Sequence, residues 1–209
     1  MELERALSRE SIRAARWSLL FGNFVIGCGV MVVGGTLNDL THDLNISVTT
    51  GGQLLAIAAL MMGFGAPLLA WLIGHIDRRT LLAWTMVWYA VGHLLCALAP
   101  SYPWLWPARA LTVLSAAVFT PQAAATAGFM LTPAKRGQAI TFVFMGWSIA
   151  SVAGMPLTAW IGERMGWRMA MALIGMAAER SIDWTTRSGD VKRLTVLEVR
   201  EPAEEPAAP

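Results

Sequence analysis

Five long apolar runs constrain the fold of this chain more than any other feature of its sequence. A helix needs about 20 apolar residues to cross the hydrocarbon core of a bilayer, and in lipid each backbone N–H must be hydrogen-bonded within its own segment. Arg109 is the only Asp, Glu, Lys or Arg inside any run. The sequence therefore predicts five membrane-spanning helices, at residues 17–37, 51–73, 81–99, 105–131 and 139–161.

The composition agrees with a chain that lies mostly in lipid. Of its 209 residues, 56% are hydrophobic and 14% are charged, whereas soluble domains carry about 25% charged residues. The net charge of +2 is too small to indicate a nucleic-acid partner. Cys28 and Cys96 lie inside apolar runs without metal-ligand spacing, so we interpret them as small buried apolar side chains and predict no cofactor or metal.

The two ends of the chain differ from the apolar middle. Residues 1–16 are amphipathic and basic, which predicts a cytoplasmic segment on the membrane surface. A sixth apolar run, 169–178, would rise about 15 Å as a helix, roughly half the hydrocarbon thickness. The polar tail, 179–209, is predicted to be disordered. The expected fold is an all-α membrane bundle at 17–178, with five full spans and a short or incomplete sixth.

Positive charge alternates between the loops. Basic residues precede the first span and occupy the second and fourth loops, and they are Arg5, Arg9, Arg13, Arg16, Arg78, Arg79, Lys135 and Arg136. The first and third loops contain no Lys or Arg. The positive-inside rule then predicts a multi-pass protein of the cell inner (plasma) membrane with a cytoplasmic N-terminus. Arg164 and Arg168 in the fifth loop depart mildly from the alternation.

The second loop, GHIDRRTLL at 74–82, contains Asp77, which is expected to cap the helix that follows. Arg78 and Arg79 are explained by retention of positive charge on the cytoplasmic side. With them, the stretch also resembles the loop between the second and third helices of the major facilitator superfamily. In that family an acid stands where this chain has Gly74, three residues before Asp77.

The fourth run contains the charged residue Arg109 in LWPARALTVLSAAVFTPQAA, 105–124. This stretch resembles the fourth-helix pattern of the same family, with Thr112 and Val113 where the family has Gln and Gly. A charge within a span is costly and is a functional candidate by default. The alternative is that Arg109 lies near the outer interface and extends its head group there.

The fifth run carries a stripe of small residues at every fourth position: Gly146, Ala150, Gly154, Thr158 and Gly162. Such a stripe lets another helix approach closely, and Pro156 removes one backbone donor and is expected to bend the helix. The run resembles the fifth-helix antiporter motif that is associated with exporters of the family. Ordinary helix packing explains the same residues.

The resemblance covers residues 14–178. Within the family, this stretch is most similar to the N-terminal half of twelve-helix sugar-efflux and drug-efflux permeases. It implies proton-coupled efflux of a small organic molecule across the bilayer. The candidate pathway residues are Arg109, Asp39, Asn23 and Gln53; Asp39 is alternatively a loop cap. His93 is expected to be a satisfied hydrogen-bonding residue between helices.

The family fold contains two six-helix halves with the substrate cavity between them, and this chain matches nearly one half. We therefore expect a truncated or frameshifted member, which must dimerise or pair with a second half to transport. The alternative is a small membrane protein that transports nothing, either an inert fragment or a packing partner that uses the stripe at 146–162. The sequence shows no nucleophile–base pair, metal cluster or phosphate loop, so no enzyme is predicted.

Overall fold

The computed structural model describes residues 2–73 and 76–187. Every regular element in these ranges is helical, which confirms the all-α prediction. Five segments are long and apolar enough to cross a membrane, as predicted. The helices are α1 (Glu2–Asp43), α2 (Val48–Ile73), α3 (Arg78–Ala97), α4 (Tyr102–Phe129), α5 (Arg136–Ile149), α6 (Met155–Met165) and α7 (Trp167–Arg187). A 3₁₀ turn, Pro133–Lys135, precedes α5, and a π-helical turn, Ala150–Gly154, joins α5 to α6 in one span.

Helix α1 forms the centre of the bundle. It packs against α5, α6 and α7 and also contacts α2 and α4, whereas α3 lies between α4 and α7. The apolar side chains of Ile26, Val32 and Leu40 are completely buried along its length. The residues at 2–16 continue this helix without interruption, so the predicted surface segment and the first span form one 42-residue helix.

Polar side chains begin two of the helices. The Asp77 carboxylate accepts the Thr80 backbone N–H at 3.1 Å, which confirms the predicted cap of α3. At the start of α2, Ser47 Oγ accepts the Thr50 N–H at 3.0 Å. Each bond satisfies one of the donors that the first turn of a helix leaves without an intrahelical partner.

The small-residue stripe of the fifth span packs on α1. A Cβ added at Gly146 would lie 2.3 Å from the Leu20 carbonyl oxygen, and one added at Gly154 would lie 2.8 Å from Cys28 Sγ. All five stripe positions are buried, namely Gly146, Ala150, Gly154, Thr158 and Gly162. The packing interpretation is therefore confirmed. The prediction that this stripe offers a surface to another protein is wrong, because α1 of the same chain covers it.

The structure departs from a regular helix just before Pro156. A proline at this position cannot donate to the carbonyl four residues earlier, and the π-helical turn, Ala150–Gly154, lies directly before it. The sequence predicts a bend at Pro156, and the structure places a widened turn in the residues that precede it. The two helical halves of the span, α5 and α6, both remain in contact with α1.

The last described helix, α7, begins after Gly166, whose φ of 84° lies in the region that favours glycine. The apolar run of the sequence ends at Ala178, but the helix continues to Arg187. Its inward face also continues, since Ala178 and Ser181 are both buried. Hydropathy marks the part of a helix that lies in lipid, not the point where its backbone hydrogen bonding stops. The predicted disorder of 179–209 is therefore wrong at 179–187, which are helical, and its remaining part lies outside the described residues.

Apart from Arg109, the charged side chains of the described spans and loops lie at the two ends of the bundle. At one end, which we name the basic end, Arg16 stacks on Phe142 at 4.6 Å from the ring centroid. Arg78 and Arg136 lie at the same end as the second and fourth loops. The other end, named the opposite end, contains the loops between α1 and α2, α3 and α4, and α6 and α7. The second and fourth loops, which carry Lys and Arg, thus lie at one end, as the positive-inside prediction requires.

Candidate functional site

Asn23 forms a junction between three spans. It is completely buried. Its Nδ2 donates to the Val143 carbonyl at 3.0 Å, and its Oδ1 accepts from Thr120 Oγ1 at 2.8 Å. These bonds link α1 to α4 and to α5. The structure thus uses this predicted pathway residue to fix three helices relative to one another.

Arg109 is completely buried in α4. Its Nη2 donates to the Val30 carbonyl of α1 at 2.8 Å, which lies in the middle of the first span. The head group therefore points into the bundle, and the alternative that it extends to the outer interface is wrong. The guanidinium is thus held between α1 and α4 inside the bundle.

Buried polar side chains of α3 and α4 define what we name the Arg109 cluster: Tyr89, His93, Cys96, Arg109 and Thr112. The Tyr89 hydroxyl donates to the Ile26 carbonyl at 2.8 Å, and the Tyr89 and His93 rings contact edge to face at 4.3 Å. A Cβ at Gly29 would lie 2.2 Å from Tyr89 Oη and 2.6 Å from His93 Nε2. Only glycine at this position of α1 lets the cluster approach so closely.

The Arg109 cluster retains unused hydrogen-bonding capacity. Among the described residues, no atom makes a hydrogen bond to Arg109 Nε, Arg109 Nη1 or His93 Nε2. His93 Nδ1 contacts the Tyr89 carbonyl of its own helix at 3.0 Å. The His93 ring also faces the Gly29 backbone of α1, so the expectation that His93 hydrogen-bonds between helices stays a prediction.

Arg109 also has no carboxylate partner within 2–73 and 76–187, the ranges that the structure describes. In the range 17–178, the chain has only four acidic residues, and they are Asp39, Asp43, Asp77 and Glu163, all near the ends of spans. A buried ion without a counter-ion costs several kcal/mol, so the described bundle keeps Arg109 at the expense of its stability.

The other two pathway candidates lie at the opposite end, away from the Arg109 cluster. Gln53 is exposed, and its Oε1 accepts from Tyr102 Oη at 3.0 Å. Asp39 accepts the Trp167 backbone N–H at 2.7 Å, so a carboxylate of α1 caps the first turn of α7. The structure thus brings Asn23 and Arg109 into the interior and leaves Gln53 and Asp39 at one rim.

A second carboxylate strengthens this contact between α1 and α7. Asp43 accepts from Trp167 Nε1 at 3.0 Å and forms an ion pair with Arg168. Arg168 also donates to the Ala99 carbonyl at 3.2 Å, which links the loop between α3 and α4. The ion pair offsets the charge of Arg168, which is one of the two residues that depart from the loop alternation.

Asp39 provides a test that separates a cap from a proton carrier. Asp39→Ala removes the acceptor of the Trp167 N–H, and loss of a cap costs about 1–2 kcal/mol. Amide exchange in the first turn of α7 is then expected to rise roughly 5- to 30-fold, measured by hydrogen-exchange mass spectrometry. Asp39→Asn keeps an acceptor oxygen and is expected to retain protection. Unchanged exchange in Asp39→Ala would contradict the cap assignment. Loss of proton-dependent export in Asp39→Asn with protection intact would indicate that the carboxylate also carries a proton.

The profile of the Major Facilitator Superfamily matches residues 19–178, from the first span into α7. This chain belongs to the Major Facilitator Superfamily. It is a multi-pass membrane protein, and its relatives are transporters. The inner membrane transport protein YdhP of Escherichia coli (strain K12) is 32% identical over 153 residues, which make up 73% of this chain and 39% of that protein.

This superfamily member is also similar to an efflux pump in sequence and to a peptide transporter in fold. A chloramphenicol efflux pump of Mycobacterium tuberculosis (strain CDC 1551 / Oshkosh) is 33% identical over 145 residues, 69% of this chain and 35% of that pump. A crystal structure of the peptide transporter POT in complex with sulfate superimposes with a TM-score of 0.74 at 14% identity, covering 90% of this chain and 39% of that one. The latter shows the fold alone. The chain spans about two fifths of the length of the relatives that it matches.

Sequence analysis did not predict the hydrogen bonds that several other residues make near the pathway candidates. Tyr89 bonds to α1, Thr120 orients Asn23, and Thr112 donates to the Ala108 carbonyl at 2.6 Å beside Arg109. Thr112 and Thr120 lie three and eleven residues after Arg109, a spacing that places all three on one face of α4. This spacing was a usable signal, whereas Tyr89 is joined to α1 only by the tertiary fold.

Proposed function

We propose that this superfamily chain is the N-terminal half of a proton-coupled exporter of a small organic molecule of the drug or sugar type. One observation carries the proposal: Arg109 is completely buried and holds two unpartnered guanidinium nitrogens among the described residues. Buried donors without partners are rare in packed interiors, and within a span they mark substrate or ion pathways. The efflux assignment rests on the similarity to the chloramphenicol pump.

The unpartnered nitrogens give Arg109 a chemical role in this proposal. Nε and Nη1 are donors, so they bind an acceptor oxygen of the substrate or a carboxylate supplied by the other half of the transporter. Asn23 holds α1, α4 and α5 together further along the same helices. Because the guanidinium stays charged, protonation of a carboxylate that faces it would break their pairing and couple a proton to the movement of the halves.

A transporter of this type needs a second half, and two spans offer surfaces for it. Only 22% of the residues are buried in the most apolar window of the second and fifth spans, against 56% to 67% in the other three. We propose that these two spans pair either with a C-terminal half or with a second copy of the chain. In the proposed orientation the basic end, with the N-terminus, faces the cytoplasm.

Transport by the chain itself is the direct test. The full chain is purified in detergent, its mass in solution is measured, and it is reconstituted into liposomes with an imposed pH gradient and labelled chloramphenicol. We expect a dimer and proton-dependent movement of the label, both retained in the exposed control Gly137→Ala. A strictly monomeric protein without proton-dependent transport would contradict the proposal for this chain and indicate a non-transporting membrane protein, while superfamily membership would stand.

A further inference from the structure

Two arginines from distant loops converge on one aromatic ring at the basic end. Arg78 Cζ lies 4.2 Å from the centroid of the Phe129 ring, and Arg136 Cζ lies 5.6 Å from the same centroid. Their head groups are therefore no further apart than the sum of these two distances. Phe129 is the last residue of α4 and is 46% exposed, so the pair of guanidinium groups, named here the Arg78–Arg136 clamp, faces outward.

Among the described residues next to the Arg78–Arg136 clamp, positive charge exceeds negative charge. The C-terminus of α4 supplies about half a negative charge, but the N-termini of α3 and α5, which begin at the two arginines, each supply about half a positive charge. Asp77, directly before Arg78, is the acid closest to the clamp in sequence, and one of its oxygens already accepts from both the N–H and the hydroxyl of Thr80. Lys135 adds a further exposed positive charge beside Arg136. The site therefore favours an anion.

The position of the clamp favours a lipid as the source of that anion. It lies at the ends of three membrane-length helices, where the phosphate groups of a bilayer are found. Ile76, two residues before Arg78, and Trp84 further along α3 are both exposed large apolar residues, which suit acyl chains rather than water. Basic pockets between spanning helices bind anionic head groups in this way.

We propose that the Arg78–Arg136 clamp binds the phosphodiester of an anionic phospholipid, with phosphatidylglycerol as the expected type. Each guanidinium donates N–H groups to phosphate oxygens, and cation–π attraction keeps both head groups against the Phe129 ring. Retention of positive charge on one side of the membrane requires only that basic residues be present in the loops. It does not require that two of them share a ring, which is the observation that the lipid site explains.

The chain contains a matched control for the charge. Arg164 lies 4.9 Å from the centroid of the Trp160 ring, at the opposite end of the bundle. Arg164→Gln therefore removes one positive charge and one cation–π contact, as Arg78→Gln does, but away from the clamp. Phe129→Leu provides a second comparison, because it keeps both arginines and removes the shared ring.

Native mass spectrometry of the full chain in detergent, with added phosphatidylglycerol or phosphatidylcholine, measures the binding. Arg78→Gln and Arg136→Gln are each expected to weaken phosphatidylglycerol binding about fivefold, and the double variant about 25-fold. Arg164→Gln should leave phosphatidylglycerol binding unchanged. Phe129→Leu should reduce the preference for phosphatidylglycerol over phosphatidylcholine. Circular dichroism confirms that each variant is helical.

Three results would overturn the proposal. The first is an equal loss of phosphatidylglycerol binding in Arg164→Gln, which would show a nonspecific effect of charge. The second is unchanged binding in the double variant. The third is displacement of the lipid by millimolar inorganic phosphate, which would identify a site for a free anion instead of a lipid.

Discussion

Gly146→Ala is expected to separate α5 from α1 and to destabilise the bundle by about 3 kcal/mol, the upper end of the usual cost of overpacking. The added Cβ would lie 2.3 Å from the Leu20 carbonyl oxygen and 2.9 Å from the Phe24 backbone nitrogen. Both neighbours are backbone atoms of the central helix, so no side chain can rotate away. Relief requires the fifth span to move, and every close contact along its stripe moves with it.

Thermal unfolding of the purified chain in detergent, followed by circular dichroism, measures the effect. The matched control is Gly137→Ala on the same helix, where an added Cβ meets nothing within 4 Å. Alanine has the higher helix propensity, so this control is expected to keep or slightly raise Tm. Equal Tm values for the two variants would show that α5 does not approach α1 as closely as the structure has it.

Arg109→Met is expected to stabilise the chain and abolish transport. Methionine fills a similar volume without donors, and replacing buried charged groups with packed apolar side chains is neutral or stabilising by about 1–4 kcal/mol. The variant removes the two unpartnered nitrogens. It also loses one hydrogen bond, from Arg109 Nη2 to the Val30 carbonyl. Stability and function then change in opposite directions, which is the signature of a residue kept for function.

The same thermal unfolding experiment and the liposome assay described above supply the two measurements. Arg109→Lys, which keeps a charge with fewer donors, serves as the conservative variant and is expected to retain part of the transport. Arg109→Ala should also lose transport while inserting into the membrane, but with a lower Tm because it leaves a cavity. A lower Tm in Arg109→Met would show that the guanidinium is a structural support, and retained transport in that variant would contradict its place in the pathway.

The features that the sequence predicts correctly are those with a local physical cause. Five spans follow from run length and hydropathy, since a bilayer accepts few alternatives to a helix. The cap by Asp77 follows from its position one residue before α3. The packing role of the stripe from Gly146 to Gly162 follows from its regular spacing, although the identity of the helix that covers it does not.

The features that the sequence leaves open depend on how helices rotate against one another. Arg109 is close enough to its helix start that it could extend to the interface or point inward, and the bond to the Val30 carbonyl decides between them. Asp39 looks like a free acid until α7, 128 residues away, places the Trp167 N–H against it. Such pairings join residues far apart in the chain, and no local pattern encodes them.

The π-helical turn, Ala150–Gly154, changes the direction in which the second half of the fifth span presents its small residues. In a regular α-helix each step of four residues advances about 40° beyond a full turn, so positions spaced by four wind gradually around the helix. One wider turn absorbs part of that rotation midway. Gly146 before the turn and Gly162 after it can therefore both meet α1, at Leu20 and at Thr36. In a strictly regular helix, the second half of the stripe would point away from the surface of α1 against which it packs.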